Sequence, residues 1–369
     1  MSAGEQLVRQ WVPMAGGSCD VRMSHDALMQ ASSVFRNSVG RPHACLAIVR
    51  TSIDETVCET LRRQLVDAGF AVTWLTLEDG VSNTIEAAST VAEALANAGA
   101  TSDDLCCVLG DASLISVASY VCGSWCGGMS LVAIPEDELA LLEGAIVPRS
   151  LDVGRRDGML SVRPAAQHVL LDFDFVLSDS NSETSHYLRS MMVATAMAGS
   201  EREFSELWDR ADKLARGEEE AMQVQLLAVA RARGQLKSST SAAVRQSADY
   251  GRSFENALNR LLHKGTPRSV LLAEGMRFAA RISVALGKLS IDDMLAQDEL
   301  LESLGIGFAG CSFGAQELCR ALKQEEFARR NRFMLLVPFS IGQVRFVTVD
   351  DDMLAEHARA WCDARSPNA

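Results

Sequence analysis

The sequence predicts an α/β domain at residues 1–176 followed by a mainly α-helical domain at residues 177–369. Between residues 44 and 174, short apolar runs alternate with segments whose apolar residues recur at helical spacing, as in a doubly wound, mainly parallel sheet. Residues 182–326 carry only helical patterns, and two β-rich runs flank Gly342 near the end of the chain. A length of 369 residues is itself typical of two domains.

The first repeating unit begins with ACLAIV at 44–49, an apolar run expected for a strand that is buried on both faces. DETVCETLRRQLVDAGF follows at helical spacing and ends with a glycine, which favours a helix. A second helix is expected in TIEAASTVAEALANAGA, and an Ala/Ser-rich helix follows the third strand. Further strands are expected at 71–77, 105–110, 130–135 and 168–174. This alternation predicts a Rossmann-like sheet of the nucleotide-binding type.

The second domain is predicted to consist of stacked helices and a terminal strand pair. Helices are expected in SHYLRSMMVATAMAG, EREFSELWDRADKLARG, EEEAMQVQLLAVARARG, FENALNRLLHKG, SVLLAEGMRFAARISVALGKL and AQELCRALKQEEFARR. In ADYGRSFENALNR at 248–260, a glycine precedes a helix whose inward positions are expected to hold Arg252 and Asn256. Arg268 opens the next helix, so the segment predicts a pocket lined by arginines.

The charge of the chain argues against two classes of partner. Its 48 acidic and 35 basic residues give a formal net charge of −13, which disfavours nucleic acids and anionic membranes because both bind through phosphate neutralisation. A small anion remains compatible with this charge, since it responds to local groups. The acidic runs at 136–138, 218–220 and 350–352 are expected to be solvated surface.

The ten cysteines are expected to be reduced thiols of a cytoplasmic protein. The N-terminal residues lack the layout of a secretory signal, and no run approaches the length of about 18–20 apolar residues that crosses a bilayer. Neither the adjacent Cys106 and Cys107 nor the spaced Cys122 and Cys126 come with a partner pair at zinc spacing, so no structural zinc site is expected.

Several phrases occur in the order and spacing of one enzyme family. They are VLG at 108–110, GMSLVAIP at 128–135, VLLDFDF at 169–175, YGRSFENAL at 250–258, EGMRFAARIS at 274–283 and NRFMLLVPFSIGQVRFVTVD at 331–350. On these phrases the chain resembles 3-dehydroquinate synthase, within the larger group that includes glycerol and iron-containing alcohol dehydrogenases. The resemblance implies a homodimeric lyase of the shikimate pathway, in aromatic amino acid biosynthesis, that uses NAD and a divalent metal, usually zinc, to eliminate phosphate and close a ring.

The metal-ligand positions implied by this resemblance fall on Ser190, Arg252 and Arg268, and a catalytic histidine position falls on Asn256. Arginine stays protonated and offers no lone pair, whereas a catalytic zinc needs about three Cys, His or carboxylate ligands. The metal site is therefore expected to be degenerate, with no metal bound. A relocated site is the alternative, for which His186 lies about one helical turn before Ser190.

The NAD positions implied by the resemblance have changed as well. Gly110 is kept in GDASLIS at 110–116, but Asp111 and Ala112 place side chains where backbone amides would approach the pyrophosphate. The remaining positions of this site are occupied by Val81, Asn83, Glu136 and Asp137. Two of these substitutions add negative charge, so NAD is not expected to bind.

Three hypotheses follow for the arginine-lined pocket. In the first, its function is lost, and Arg252 and Arg268 extend into water or pair with carboxylates such as Glu255 and Glu274. In the second, the arginines replace the charge of the metal and bind a phosphate or carboxylate in the interdomain cleft. In the third, the chain remains an active 3-dehydroquinate synthase.

Three further positions belong to these hypotheses. The resemblance places Glu143 at a substrate-contacting position, Arg149 at a lysine position and Arg245 at an arginine position before the histidine motif. The second hypothesis counts Arg149 and Arg245 among the groups that bind the anion, because arginine binds carboxylates and phosphates bidentately.

Overall fold

A computed structural model of the protein describes residues 7–80, 82–154, 156–176, 179–262 and 265–366. The chain forms two compact units, Met1–Ser178 and Asp179–Ala369. Among the described helices, none combines the length and apolar character that a bilayer crossing requires. The predicted fold class, a mainly parallel Rossmann-like sheet followed by a helical region, is confirmed.

The first unit contains a seven-stranded sheet with the order β1-β2-β9-β6-β5-β3-β4. Its strands, together with the small antiparallel pair β7–β8, are β1 (Val8–Met14), β2 (Gly17–Ser24), β3 (Ala44–Arg50), β4 (Ala71–Leu77), β5 (Leu105–Gly110), β6 (Ser130–Pro135), β7 (Leu151–Val153), β8 (Arg156–Leu160) and β9 (Ala166–Asp172). Only the hairpin β1–β2 of the large sheet is antiparallel. The central strands β3, β5 and β6 are buried nearly throughout, as their apolar runs predict.

The first unit has six described helices, four of which begin at a side-chain cap. They are α1 (Ser32–Asn37), α2 (Glu55–Asp67), α3 (Ile85–Asn97), α4 (Ala112–Ser124), α5 (Glu138–Ala140) and α6 (Phe173–Val176), with π-helical turns at Leu141–Ile146. Asp54, Thr84 and Asp111 each accept a hydrogen bond from an amide in the first turn of α2, α3 and α4. The last predicted strand ends two residues early, because Phe173 begins α6.

The second unit is built from nine described helices and one strand pair. These are α7 (Glu183–Gly199), α8 (Glu201–Ala215), α9 (Glu219–Ser238), α10 (Ala242–Ser247), α11 (Arg252–Leu261), α12 (Arg268–Ala285), α13 (Ile291–Ser303), α14 (Ala315–Phe327), α15 (Asp351–Arg365), β10 (Met334–Ser340) and β11 (Gln343–Thr348). The six predicted helices and the hairpin around Gly342 are present. Helices α10, α13 and α15 were not predicted.

A close backbone contact fixes the start of α11 against α12. Gly251 precedes α11 with a φ of 85°, a conformation that favours glycine. Gly275 of α12 faces it so closely that a Cβ there would lie 2.2 Å from the carbonyl oxygen of Gly251. The two helices therefore pack backbone to backbone at this point, and each begins with one of the predicted site arginines.

Candidate functional site

Arg252 and Arg268 converge on one buried carboxylate, that of Glu255. Arg268 donates to Glu255 Oε1 from Nε at 3.0 Å and from Nη2 at 2.6 Å. Arg252 Nη1 lies 3.5 Å from Glu255 Oε2. Because Glu255 is only 1% exposed, its charge is compensated by these guanidiniums, as a buried carboxylate requires.

Tyr187 of α7 completes the cluster. Its hydroxyl donates to Glu255 Oε1 at 3.1 Å and accepts hydrogen bonds from Arg252 Nη1 and, at 3.2 Å, from Arg268 Nη2. The guanidinium carbons of the two arginines lie 5.6 and 4.9 Å from the centroid of the ring, within the range of cation–π attraction. One aromatic ring and one carboxylate thus hold two like charges together.

Arginine stays protonated in proteins, and the surroundings of Arg252 and Arg268 shift their pKa values in opposite directions. Burial lowers the pKa of Arg252, with Glu255 opposing and Arg268 reinforcing that effect. Burial also acts to lower the pKa of Arg268, but the charges and hydrogen bonds of Glu255 and Tyr187 outweigh it, and this pKa is raised. Neither group therefore provides the lone pair that a metal ligand needs.

Ser190 serves the packing of α7 against α12. Its buried hydroxyl donates to the backbone oxygen of Ser269 at 2.9 Å. Glu183 accepts hydrogen bonds from the amide and hydroxyl of Ser269, at 2.7 and 2.8 Å. The carboxylate of Glu183 thus caps the N-terminus of α12, where the helix dipole favours negative charge.

Asn256 and Arg245 also make internal contacts. Asn256 Nδ2 donates to Glu325 Oε1 at 2.9 Å. Arg245 Nη1 donates to the backbone oxygens of Ser239 and Thr240, at 2.7 and 2.9 Å. This nitrogen of Arg245 closes the turn before α10, and the inclusion of Arg245 in an anion-binding set stays a prediction.

Glu274 has different partners from those expected. Its buried carboxylate accepts hydrogen bonds from Trp361 Nε1 at 2.7 Å and from two nitrogens of Arg365 at 3.2 Å, and Arg277 Nη1 lies 3.4 Å away. The prediction that Glu274 pairs with Arg252 or Arg268 is corrected: it anchors α15 to α12 instead.

The described residues do not fit a metal. Within ranges 7–80, 82–154, 156–176, 179–262 and 265–366, no group of three His, Cys, Asp or Glu side chains is arranged to hold an ion. His186, the candidate for a relocated site, places Nδ1 2.9 Å from the backbone oxygen of Ser182 at the start of α7. His263 precedes Arg268 but lies outside the described residues.

In the first unit, a carboxylate occupies the helix end at which the resemblance implies a pyrophosphate. Asp111 caps α4 by accepting from the amide of Leu114 at 2.7 Å, and its Oδ1 also lies 3.0 Å from Arg50 Nη2. Gly110 precedes it at the end of β5. The neighbouring Ala112 is covered by Gly144, where a Cβ would lie 3.0 Å from the Ala112 Cα. The carboxylate of Asp111 thus occupies one of the amides in the first turn of α4, that of Leu114.

More negative charge follows β6, in the run at 136–138. Burial raises the pKa of Glu136 to about 7, with Asp111 and Asp137 contributing by repulsion. Burial also raises the pKa of Asp137, which caps α5 through the amide of Ala140. Glu138 is fully buried. The prediction that this run is solvated surface is therefore wrong.

The remaining predicted residues of the first unit support its loops. Asn83 Nδ2 donates to the backbone oxygen of Ser150 at 2.5 Å. Arg149 donates to Glu143 Oε2 from Nε at 3.0 Å and from Nη2 at 2.7 Å, and this carboxylate is nearly buried. Val81 lies outside the described residues. Glu143 and Arg149 thus form an internal pair in the first unit.

Sequence reasoning missed Tyr187 and Glu183. Together with Ser190 they follow a spacing of four and three residues along α7, which places them on one helix face. Once Ser190 was assigned to a site, this periodicity was the signal that pointed to its neighbours.

Comparison with known proteins finds no matching family model. A curated 3-dehydroquinate synthase from Synechococcus sp. (strain CC9605) is 25% identical over 304 residues, covering 79% of this chain and 80% of that protein. The structure of 2-deoxy-scyllo-inosose synthase complexed with carbaglucose-6-phosphate, NAD+ and Co2+ superposes with a TM-score of 0.80 and 14% identity, covering 96% of this chain and 100% of that one. ValA, a 2-epi-5-epi-valiolone synthase from Streptomyces hygroscopicus subsp. jinggangensis with NAD+ and Zn2+ bound, gives a TM-score of 0.77 at 14% identity, over 96% and 99% of the two chains.

Proposed function

Because this chain is a divergent member of the dehydroquinate synthase-like fold group, we infer that it keeps the fold without the metal- and NAD-dependent cyclase chemistry. We propose that it binds a small phosphate or carboxylate anion at the arginine cluster of its second unit. The observation that carries this proposal is the pair Arg252 and Arg268 held around Glu255, at the positions where the resemblance implies metal ligands.

The charges of the cluster support an anion as its ligand. Glu255 offsets one of the two guanidiniums, while Glu183 is taken up by Ser269 at the positive end of α12. The side chain of Arg268 is 46% exposed, so part of its guanidinium group faces solvent. An anion bound there would form charge-assisted hydrogen bonds, which are stronger than hydrogen bonds between neutral groups.

Calorimetric titration with inorganic phosphate tests this proposal. We expect saturable binding that weakens about tenfold in Arg268→Gln, since a hydrogen bond to a charged group contributes about 1.5–3 kcal/mol. Glu255→Gln should bind phosphate more tightly, because it removes the negative charge that competes with the anion for the two guanidiniums. Arg202→Gln removes an exposed arginine of α8 and should bind like the wild type. Equal affinities in all four proteins would contradict the proposal.

Retained synthase activity is the second candidate, favoured by the name of the curated Synechococcus relative. The decisive assay measures phosphate release from the seven-carbon keto-acid phosphate, the substrate of 3-dehydroquinate synthase, with NAD and Zn2+ or Co2+ added. We expect no release above background, because a metal would supply several kcal/mol of transition-state stabilisation that arginine positions cannot replace. The Synechococcus protein is the positive control, and turnover at a comparable rate would overturn the inference of lost chemistry.

A further inference from the structure

A second, separate groove lies on the second unit, between α14 and α15. It encloses about 660 Å³, a volume in the range of sites for small organic ligands. The helix α14 contributes Arg320, Lys323 and Phe327 to its wall, and α15 contributes Leu354 and Arg359. The buried face of α14, which includes Glu325 and Glu326, is turned away towards the core, so this groove is distinct from the arginine cluster around Glu255.

The groove carries an excess of positive charge. Its lining includes three cations, Arg320, Lys323 and Arg359, and a single acid, Asp351. Lys323 Nζ lies 2.7 Å from Asp351 Oδ1. The single acid of the lining is therefore paired with the lysine, and the positive charges of Arg320 and Arg359 are not offset within the lining. Over the part of the chain that the structure describes, neither Arg320 nor Arg359 forms an ion pair or a side-chain hydrogen bond. This local surplus of positive charge contrasts with the formal net charge of −13 of the whole chain.

The remaining lining is apolar. Phe327 is 51% exposed although it is aromatic, and Leu354 forms part of the floor with only 1% exposure. An exposed aromatic ring beside unpaired guanidiniums favours a ligand with both an apolar body and a negative group. Inorganic phosphate would satisfy the cations but leave the ring in water.

We propose that this groove binds a small organic anion, in which a phosphate or carboxylate is received by Arg320 and Arg359 and an apolar body packs against Phe327. The two arginines come from different helices, so a single anionic group bridging them joins α14 to α15. Lys323 stays with Asp351 and limits the site to a ligand of low charge. Because the groove is open to solvent, the interaction weakens as salt is added.

Phenyl phosphate is a suitable probe, titrated by calorimetry into the full-length protein. We expect saturable binding that falls about tenfold or more in Arg320→Gln/Arg359→Gln, in line with the loss of charge-assisted contacts. Phe327→Ala should weaken phenyl phosphate but leave inorganic phosphate unchanged. Arg202→Gln is the matched control for removal of an exposed arginine, and circular dichroism checks that each variant is folded.

The outcomes separate this groove from the cluster around Glu255. Arg268→Gln should weaken the phosphate site proposed above about tenfold and retain the binding of phenyl phosphate in the groove. The proposal is overturned if the wild type shows no saturable binding of phenyl phosphate, if Arg320→Gln/Arg359→Gln binds it as tightly as the wild type, or if Arg268→Gln abolishes all binding.

Discussion

At the scale of single residues, Glu255 explains why two arginines tolerate each other at the start of adjacent helices. Two guanidiniums beside one another repel, and each loses hydration on burial. Glu255, 1% exposed, accepts hydrogen bonds from Arg268 and lies within ion-pair distance of Arg252. The three charges therefore depend on one another, and Tyr187 adds its ring and hydroxyl to the same arrangement.

Replacing Glu255 with glutamine should destabilise the protein. Loss of one partner leaves buried positive charge uncompensated, which costs about 3–5 kcal/mol for a fully buried pair. Since Arg268 is about half exposed, solvent screening reduces the expected loss to about 2–3 kcal/mol. Urea unfolding followed by circular dichroism measures it. Glu206→Gln, which breaks an exposed pair with Arg202, is the control, and an equally small loss in both variants would contradict the prediction.

Glu136 should make the stability of the first unit depend on pH. Burial, reinforced by Asp111 and Asp137, raises its folded-state pKa to about 7 from the ordinary glutamate value of 4.5. The folded state therefore holds the proton more tightly, and the stability this provides is complete below pH 4.5 and is lost as pH rises towards about 7.

Glu136→Gln should remove that dependence. Because Glu136 is partly exposed, the shift is discounted for solvent screening, and we expect the variant to gain about 1–2 kcal/mol over the wild type between pH 5 and pH 8. Urea unfolding of both proteins at each pH measures this difference in the free energy of unfolding. The contributions of the other titrating groups are common to both proteins and cancel in the difference. A difference that stays constant with pH would show that Glu136 titrates normally.

The sequence was informative about these residues only in part. The absence of a lone pair at Arg252 and Arg268 follows from residue type alone. The role of Glu255 was one of several pairings compatible with the sequence, because Asp249 and Glu255 each lie three residues from Arg252, and Glu274 follows Arg268 by six residues. In the sequence, Glu136 is one member of a charged run. Its burial depends on how α5 packs after β6, and the local sequence pattern does not determine that packing.

At the scale of elements, apolar runs and periodicity located most of the first sheet. Strands β3 to β6 match the predicted ranges, since a strand buried on both faces has a distinctive composition. The hairpin β1–β2 escaped prediction because VRQWVPM mixes charged and apolar residues and carries a proline, as edge strands do. Helix α13 was not predicted because its apolar residues are poorly segregated to one face and acidic residues occur on both faces.

The approach of α11 and α12 should be intolerant of a single methyl group. A Cβ at Gly275 would lie 2.2 Å from the carbonyl oxygen of Gly251, and backbone cannot yield as a flexible side chain does. We expect Gly275→Ala to cost about 3 kcal/mol or more and to disturb the cluster formed by the first residues of both helices. Thermal unfolding measures the loss.

Gly123→Ala is the matched control. Gly123 also lies within a helix, α4, but a Cβ there would meet nothing closer than Ala165 Cβ at 3.9 Å. Replacing a helical glycine with alanine without a clash should stabilise by about 0.4–1 kcal/mol. The two variants should therefore shift the stability in opposite directions, and a shift of the same sign would refute the packing argument.

At the scale of the whole molecule, the fold is kept while the positions at which the resemblance implies cofactor contacts carry other side chains in each unit. In the first unit, the carboxylate of Asp111 caps the N-terminus of α4. The acidic groups after β6 add further negative charge near Asp111. In the second unit, permanently charged side chains occupy two of the three implied ligand positions, and the uncharged Ser190 occupies the third. The central strands β3, β5 and β6 are apolar and buried, so the packing of the sheet does not depend on either cofactor.

The purified protein should therefore carry well below one divalent ion per chain and show no saturable binding of NAD. A metal would need neutral or anionic ligands in place of guanidiniums, and the pyrophosphate of NAD would meet the carboxylates of Asp111, Glu136 and Asp137 in place of free amides. Mass spectrometry for metals after purification with added zinc measures the first, and calorimetry at pH 8, where Glu136 is charged, measures the second. The 2-deoxy-scyllo-inosose synthase, whose structure contains NAD+ and Co2+, is the positive control for both. A stoichiometric ion that persists through purification would contradict the electrostatic argument for the second unit, and micromolar NAD binding would contradict it for the first.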